Sequence, residues 1–208
     1  MQPEEVEPGR VQRARSGPIP DDSIAGDDAL MARVAGGDAR AFEAIVNREL
    51  DRALAVARRV VGNDAEAEDV AQEALLRLWG RAAKWRPGQA RIRTWLYRVS
   101  VNLSIDRLRQ RKGELVAEPP EQSQPADQQQ SIEQQELSRS MDRALQALPD
   151  RQRIALVLFH YEGASMVEVA EVLETSADAV ESLLARGRRA LKKRLAPQWR
   201  AMLPDMTE

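Results

Sequence analysis

The chain has 208 residues, enough for one or two domains, and 43% of them are hydrophobic, enough to build cores. It has no cysteine, which excludes disulfides and thiolate metal sites and is typical of a reducing compartment. Because no apolar run approaches a membrane span and no secretion signal precedes the first helix, we expect neither membrane insertion nor export. The formal net charge is only −2, but the 31 basic and 33 acidic side chains are strongly segregated along the chain.

Hydrophobic residues recur at helical spacing along most of the chain, and no segment alternates with the period of two that a half-buried strand requires. The sequence therefore predicts an all-α fold with two small helical domains joined by a flexible acidic linker. Prolines, a Gln run and several acids indicate the linker. The predicted divisions are a disordered leader (1–26), a first domain (27–112), the linker (113–138), a second domain (139–196) and a tail (197–208).

Four helices are predicted in the first domain from the residues that begin and end them. Asp, Asn and Thr side chains cap helix starts by accepting backbone N–H bonds, and Gly ends helices because it tolerates a positive φ. In chain order, these boundary residues are Asp27 or Asp28, Gly36 with Gly37, Asp38, Gly62, Asn63 and, before a last helix from Trp95 to about Arg111, Thr94.

The end of the first domain is strongly basic, since residues 77–112 contain eleven Lys or Arg side chains and one acid, Asp106. Each phosphate that such cations neutralise releases counterions, which favours nucleic-acid binding. Trp85, Trp95 and Tyr97 lie among the cations, and aromatic rings in that setting can stack on unpaired bases, at about 1–3 kcal/mol per base. The same rings could instead pack in the core, and the sequence leaves both interpretations open.

The second domain contains the pattern of a helix-turn-helix. Ser165 and Glu168 form a predicted capping box, and Ser176 is the predicted N-cap of the next helix, after a short turn at Glu174. That next helix begins with small polar side chains and ends in a basic run, which suits entry into a major groove beside phosphates. We therefore expect this helix to read duplex DNA.

Four segments resemble bacterial RNA polymerase sigma factors of the extracytoplasmic-function (ECF) group. Asp64–Glu73 resembles the acidic DAEDxxQE segment of that family, and the helix that begins Thr94–Val99 is similar to its TWLYRIAxNxxxDxxR pattern. In the second domain, Leu148–Arg153 resembles the LPxRQR pattern, and Tyr161–Arg189 resembles EGxSxxEIAxxL followed by VxSxLxRAR. Together the segments cover most of residues 28–195.

The resemblance implies an alternative sigma factor that binds core RNA polymerase and promoter DNA in the cytoplasm, is controlled by an anti-sigma factor, and is a monomer outside its complexes. It implies three sites. Core polymerase would contact Asp64, Glu66, Asp69, Gln72 and Glu73. The −10 element would be recognised and melted by Lys84, Trp85, Arg86, Arg91, Arg93, Arg98, Asn102, Asp106 and Arg109. The −35 element would be read as duplex by Ser176, Ala177, Asp178, Ala179, Glu181, Ser182, Arg186, Arg188 and Arg189.

Three positions in the helix-turn-helix depart from the family pattern. Glu174 stands where a turn Gly is usual. Glu181 and Leu183 replace a usual Lys and Arg near the start of the reading helix, so the −35 preference stays open. The alternative to a sigma factor is a stand-alone helix-turn-helix regulator, which would leave the basic Trp-containing loop unexplained. An enzyme is not expected, because one His, no Cys and no phosphate-binding or HExxH motif leave nothing to build a catalytic site. No metal or cofactor is expected either.

Overall fold

Residues 26–88, 90–113 and 132–202 are described in the computed structural model, and regular structure in these ranges is helical, so the all-α prediction is confirmed. A 3₁₀ turn at Ala82–Lys84 follows the third helix, and a π turn at Val157–Tyr161 continues the sixth. The α-helices in these ranges are α1 (Asp27–Ala35), α2 (Ala39–Val61), α3 (Asp64–Arg81), α4 (Ile92–Gly113), α5 (Ile132–Gln146), α6 (Asp150–Leu156), α7 (Met166–Val172) and α8 (Ala177–Met202).

Capping residues set several helix ends where the sequence predicts them. The Asp38 carboxylate accepts hydrogen bonds from two backbone N–H groups in the first turn of α2, and the Asn63 side chain accepts one from the first turn of α3. Gly62 ends α2 with φ at 72°, a left-handed conformation that glycine adopts without a Cβ clash. In the second domain, Ser165 and Glu168 form the predicted capping box, and the Ser176 hydroxyl accepts from the first turn of α8.

The predicted start of α4 at Thr94 is wrong. The helix begins two residues earlier, at Ile92, and Thr94 lies buried within the first turn. The Ile92 N–H donates to the Asp27 carboxylate at 2.7 Å, across 65 residues of sequence. A cap supplied by another helix leaves no local signal, which is why the sequence pattern pointed to the nearest Thr instead.

Two helices extend into segments that the sequence assigned to the linker and the tail. α5 begins at Ile132, ahead of the predicted linker end at 138, and residues 132–146 contain neither proline nor glycine to prevent this. α8 continues to Met202, past the predicted tail start at 197. The predicted leader, and the linker between 114 and 131, lie outside the described residues, so those assignments stay predictions.

The first domain packs α1–α4 around an apolar core that fixes α4 and the loop before it. Each large side chain buried in such a core contributes about 1.5–3 kcal/mol. The fully buried members are Leu30, Met31, Ile45, Leu78, Ile92 and Leu96. A smaller cluster between α2 and α3 contains Ala57, Val61, Ala67 and Val70.

The second domain packs against the first through a continuous apolar cluster, which the sequence did not predict. Val56, Val60, Tyr97 and Val101 of α2 and α4 belong to the same cluster as the core of α5–α8. Polar contacts frame this interdomain interface. The Tyr97 hydroxyl donates to the Glu162 carboxylate at 3.0 Å, the Gln146 amide donates to the backbone oxygen of Arg59 at 2.8 Å, and the Arg59 guanidinium lies 4.4 Å from the centroid of the Tyr161 ring.

Candidate nucleic-acid interface

One face of α4, together with Arg91 just before it, carries a stripe of polar, basic and aromatic side chains at spacings of three and four residues. We call it the α4 stripe. Because α4 buries Leu96, Tyr97 and Val101 on other faces, the orientation of the stripe is fixed by core packing. Guanidinium groups can bind phosphates, and an Asn side chain can pair with base edges. The members, each exposed or half-buried, are Arg91, Trp95, Arg98, Asn102, Asp106 and Arg109.

The segment that leads into α4, residues 84–93, is rich in cations, and we call it the basic loop. Some of its cations form no ion pair with the described residues of the protein. Lys84 and Arg86 are exposed and make no ion pair within the described part of the chain. Arg93 differs, because its Nε donates to the buried carboxylate of Glu49 at 3.2 Å. Burial opposes the charge of Arg93, but the hydrogen bond and charge of Glu49 outweigh it and raise the pKa of Arg93 above its ordinary value. Arg93 therefore ties α4 to α2.

The aromatic residues of this region all have packing roles. Trp85 is half-buried against the first-domain core, and its indole N–H donates to the Asp28 carboxylate at 2.9 Å. Trp95 is half-buried against the same core. Tyr97 is only 3% exposed, and burial and the neighbouring Glu162 raise its pKa. Of the two interpretations left open by the sequence, the structure supports packing for Tyr97, whereas Trp95 and Trp85 retain one accessible side.

Most of the acidic residues on α3 form ion pairs with arginines of the same domain. The Asp64 carboxylate lies 2.6 Å from the Arg58 guanidinium, and Glu66 makes a two-pronged pair with Arg111. The side chains of Asp64 and Glu66 are only 20% and 25% exposed. These two acids therefore join α3 to its neighbours, and little of either carboxylate remains for a partner.

The later turns of α3 present a different surface, which we call the α3 patch. Asp69 is 61% exposed and its pair with Arg107 is long, at 3.4 Å, while Glu73 pairs with Arg77 within α3. Leu76 is 60% exposed beside them. The patch lines a groove of about 390 Å³, formed by Asp69, Gln72, Glu73, Leu76, Arg77, Leu103 and Arg107.

Two exposed apolar side chains lie next to the acids of α3, outside the site that the sequence predicts. Leu76 is absent from the predicted site, and Trp79 is 41% exposed although helical spacing places it one turn after buried Leu75. The Trp79 ring packs edge-on against Phe42 at 4.9 Å between centroids. Helical periodicity could have separated Leu76 from the core face. Leu76 directly follows buried Leu75, and successive side chains on a helix point about 100° apart.

The predicted reading residues lie together on the accessible side of α8. Of this set, Ala179 is half-buried and the others are exposed, while Val180 and Leu184 of the same helix are buried in the core. The exposed set runs from the N-terminus of α8 through its basic turns. Its members are Ser176, Ala177, Asp178, Ala179, Glu181, Ser182, Arg186, Arg188 and Arg189.

The turn before α8 is stabilised by a hydrogen bond from Arg151, in the Leu148–Arg153 segment. Glu174 has φ at 50°, the left-handed conformation that the sequence predicted for a position where Gly is more usual, and that costs a non-Gly residue about 1 kcal/mol. The Arg151 guanidinium donates to the Leu173 backbone oxygen at 3.0 Å.

Arg153 of the same segment is buried and donates to Gln146 and Asp150. Burial lowers the pKa of Arg153, against the opposing charge of Asp150.

Acidic side chains of α7 face the basic loop across the interdomain interface. Glu168 and Glu171 share a cavity of about 390 Å³ with Arg91 and Thr94. The Ser165 backbone and hydroxyl, and then the charges of arginines including Arg91, lower the pKa of Glu168 below its ordinary value. With the domains packed in this way, part of the basic loop already faces negative charge from the protein.

No helix in the described ranges has the length and apolar character needed to cross a membrane. Within the same ranges, no cluster of three or more His, Asp or Glu side chains has the arrangement of a metal site.

The chain matches two protein families, each within one of its helical domains. Residues 45–114 match Sigma-70 region 2, and residues 138–191 match Sigma-70, region 4. The ECF RNA polymerase sigma factor SigW of Bacillus subtilis is 31% identical over 183 residues, which cover 79% of this chain and 94% of that protein. The RNA polymerase sigma-H factor of Pseudomonas aeruginosa is 31% identical over 190 residues, covering 82% and 94%.

Two solved complexes contain a chain of similar fold. CnrH in complex with the cytosolic domain of CnrY is 29% identical, with a TM-score of 0.63 over 82% of this chain and 97% of that one. The sigma factor RpoE in complex with the anti-sigma factor NepR from Bartonella quintana has a TM-score of 0.64 over 74% and 96%, at 24% identity, and is a likeness of fold.

Proposed function

This chain belongs to the ECF RNA polymerase sigma factors, a family of transcription initiation factors, and we propose that three of its surfaces divide the work of promoter-specific initiation. The observation that carries the proposal is that each matched family region presents an exposed cationic surface: the α4 stripe with the basic loop in one, and the reading face of α8 in the other. The chain acts in the cytoplasm as a non-catalytic subunit, because the polymerase supplies the chemistry.

The first-domain surface recognises and opens the −10 element. Lys84, Arg86 and Arg91 contact phosphates. Bases are contacted by Asn102 and by the accessible sides of two rings, Trp85 in the basic loop and Trp95 on α4. Phosphate contacts are insensitive to sequence, whereas base-edge and stacking contacts discriminate. Extruding a base costs a few kcal/mol, which these contacts offset. Arg93 stabilises this surface indirectly, because its hydrogen bond to Glu49 joins α4 to α2.

The reading helix α8 contacts the −35 element as duplex. Ser176, Asp178 and Ser182 face base edges from the first turns, and the arginines further along contact phosphates. Each phosphate contact adds about 0.9 to the slope of log affinity against log salt. Replacing Arg188 and Arg189 together by Ala is expected to reduce that slope by about 1–2. Arg40→Ala, at an exposed position on α2, is the matched control and should leave the slope unchanged.

Core polymerase binds the α3 patch, with Asp69, Gln72 and Glu73 flanking the exposed Leu76. Asp64 and Glu66 contribute indirectly, since their ion pairs hold α3 against the rest of the domain. Leu76→Ser is expected to weaken binding to core polymerase about tenfold or more, as truncation of a central apolar contact does in other interfaces. Leu76→Met keeps the apolar contact and should bind normally. Equal binding by both variants would exclude Leu76 from this interface.

Run-off transcription tests the whole proposal. Purified chain is added to core polymerase on a library of duplex templates with randomised upstream sequence. Initiation from a defined subset of templates, dependent on the chain, is the expected result. A stand-alone helix-turn-helix regulator would bind duplex DNA but leave core polymerase unable to initiate, and that outcome would reject the sigma-factor function.

An anti-sigma factor holds the chain inactive until it is needed. Support comes from the two complexes of similar fold, CnrH with the cytosolic domain of CnrY and the sigma factor RpoE with the anti-sigma factor NepR. The test is a pull-down with the full chain from uninduced cells, followed by addition of the recovered protein to the run-off assay. Recovery of polymerase alone, or of a protein that does not suppress initiation, would contradict this control.

A further inference from the structure

Two aspartates at the start of α1 hold the basic loop, although they are far from it in sequence. The Asp28 carboxylate accepts the Trp85 indole N–H at 2.9 Å with one oxygen and the Gly88 backbone N–H at 3.0 Å with the other. The neighbouring Asp27 accepts the Ile92 N–H at 2.7 Å. The bonds reach across 57 to 65 residues. Both ends and the middle of the loop are thus fixed to α1.

The loop depends on these bonds because it has little other internal support. The residues described between Trp85 and Ile92 form no regular helix, and Gly88 takes the positive φ of 75° that a tight turn requires. Among the described residues, Asp28 accepts hydrogen bonds from the beginning and middle of this loop, and Asp27 accepts one at its end. Hydrogen bonds to a carboxylate are roughly twice as strong as neutral ones. The same negative charge also reduces the repulsion between the exposed cations of the loop.

We propose that Asp28 is a positioning residue that sets how strictly the basic loop discriminates between bases in the −10 element. The inference rests on the proposed function of that loop. Asp28 does not have to touch DNA for this role. Base contacts need donors and acceptors held within about 0.5 Å, whereas phosphate contacts tolerate displacement and carry no sequence information. A loop released from Asp28 therefore keeps its affinity for DNA but loses selectivity.

The test measures selectivity and affinity separately in the reconstituted holoenzyme. Wild type and Asp28→Ala initiate from duplex templates randomised across the −10 region, and sequencing of the transcripts gives the preference of each enzyme for every base. Loss of the two bonds is expected to reduce the preference ratio at the most selective position about tenfold. Binding to core polymerase and the total yield at saturating holoenzyme should change less than twofold.

Two further variants separate positioning from loss of fold or charge. Trp85→Phe retains an aromatic ring but removes the indole N–H, so it should reproduce part of the loss of selectivity and add little in combination with Asp28→Ala. Asp51→Asn removes an acid from an exposed position of α2 and should leave the base preferences unchanged.

Three outcomes would overturn the inference: unchanged base preferences in Asp28→Ala, an equal loss of initiation on every template, or a change in preference as large in Asp51→Asn. Failure of the proposed function looks different, because wild-type holoenzyme would itself then initiate without sequence preference. If wild type discriminates and Asp28→Ala discriminates equally well, only the positioning role is lost.

Discussion

The interdomain interface predicts that a single hydroxyl group controls how often the two helical domains separate. Tyr97→Phe removes the hydrogen bond from α4 to Glu162, which measures 3.0 Å, and keeps the ring that packs in the shared apolar cluster. Separation of the domains would remove Glu168 and Glu171 from the cavity that they share with Arg91. The variant should therefore expose the basic loop more often than wild type does.

The magnitude follows from the surroundings of the bond. A hydrogen bond to a charged acceptor contributes about 1.5–3 kcal/mol. Glu162 is half-buried, so water can replace part of the lost interaction, and the lower limit of about 1.5 kcal/mol applies. Since about 1.4 kcal/mol corresponds to a factor of ten in an equilibrium constant, the ratio of open to closed molecules should rise about tenfold.

Single-molecule energy transfer can measure this ratio directly. The chain contains no cysteine, so Glu43→Cys on α2 and Lys192→Cys on α8 provide one exposed dye position in each domain. Tyr161→Phe is the matched control, because it makes the same chemical change where the ring packs against Arg59 rather than donating from its hydroxyl. It should keep the wild-type distribution.

Identical distributions for Tyr97→Phe and wild type would refute the reasoning, and so would equal opening by both Phe variants. A functional readout accompanies the distances. Free Tyr97→Phe should bind a single-stranded −10 oligonucleotide more tightly than wild type, by up to the same factor of about ten. Binding that stays unchanged while the domains open would mean that the closed interface does not cover the DNA-binding loop.

The remaining predictions concern stability. Gly187→Ala on α8 would bring a Cβ within 2.8 Å of a buried Leu156 carbon. Thermal or urea unfolding should therefore show a net decrease of about 1–2 kcal/mol in the free energy of unfolding, after the gain in helix propensity. Gly80→Ala has open space around it and should raise the free energy of unfolding by up to about 1 kcal/mol. The buried carboxylate of Glu49 accepts from Arg48 with one oxygen and from Arg93 with the other. Glu49→Gln removes the charge and replaces one of these acceptors with an N–H donor. Because both arginines can hydrate, urea unfolding should show a loss of about 2 kcal/mol, and an unchanged midpoint would exclude a structural role. The hydrogen bonds from Ser165 lower the pKa of Glu168 in the folded chain. The stability that Glu168 contributes is therefore present above the ordinary Glu pKa and disappears as the pH falls through the lowered value. Melting curves of wild type and Glu168→Ala should converge in acid, and a constant difference would contradict the capping role.

Interactions between residues close in sequence determined the helix ends and the exposed side of α8. The Ser165 capping box, the Asp38 and Asn63 caps and the Gly62 terminator all act within a few residues, and each is found where the pattern predicts it. The exposed side of α8 was also predictable, because helical periodicity separates it from the buried Val180.

Tertiary structure decided which charged residues are free. In sequence, Asp64, Glu66 and Asp69 are equivalent acids at a helix start. In the fold, the first two are enclosed by arginines brought from α2 and α4, while Asp69 stays mostly exposed. The same holds for Arg93, which the buried Glu49 removes from the set of free cations. The pairs of Glu66 with Arg111 and of Glu49 with Arg93 join residues 45 and 44 positions apart, and a one-dimensional pattern contains no record of them.

The sequence by itself therefore determined the helical architecture, the family resemblance and the outer face of α8, because capping and periodicity depend on neighbours within one or two turns. The interdomain interface, the start of α4 at Ile92 and the attachment of the basic loop to Asp28 were decided by tertiary structure. Each of these features requires a donor and an acceptor, or two apolar faces, that only folding brings into contact. Hydrogen bonding and burial act at distances of a few ångströms in space, whatever the separation along the chain.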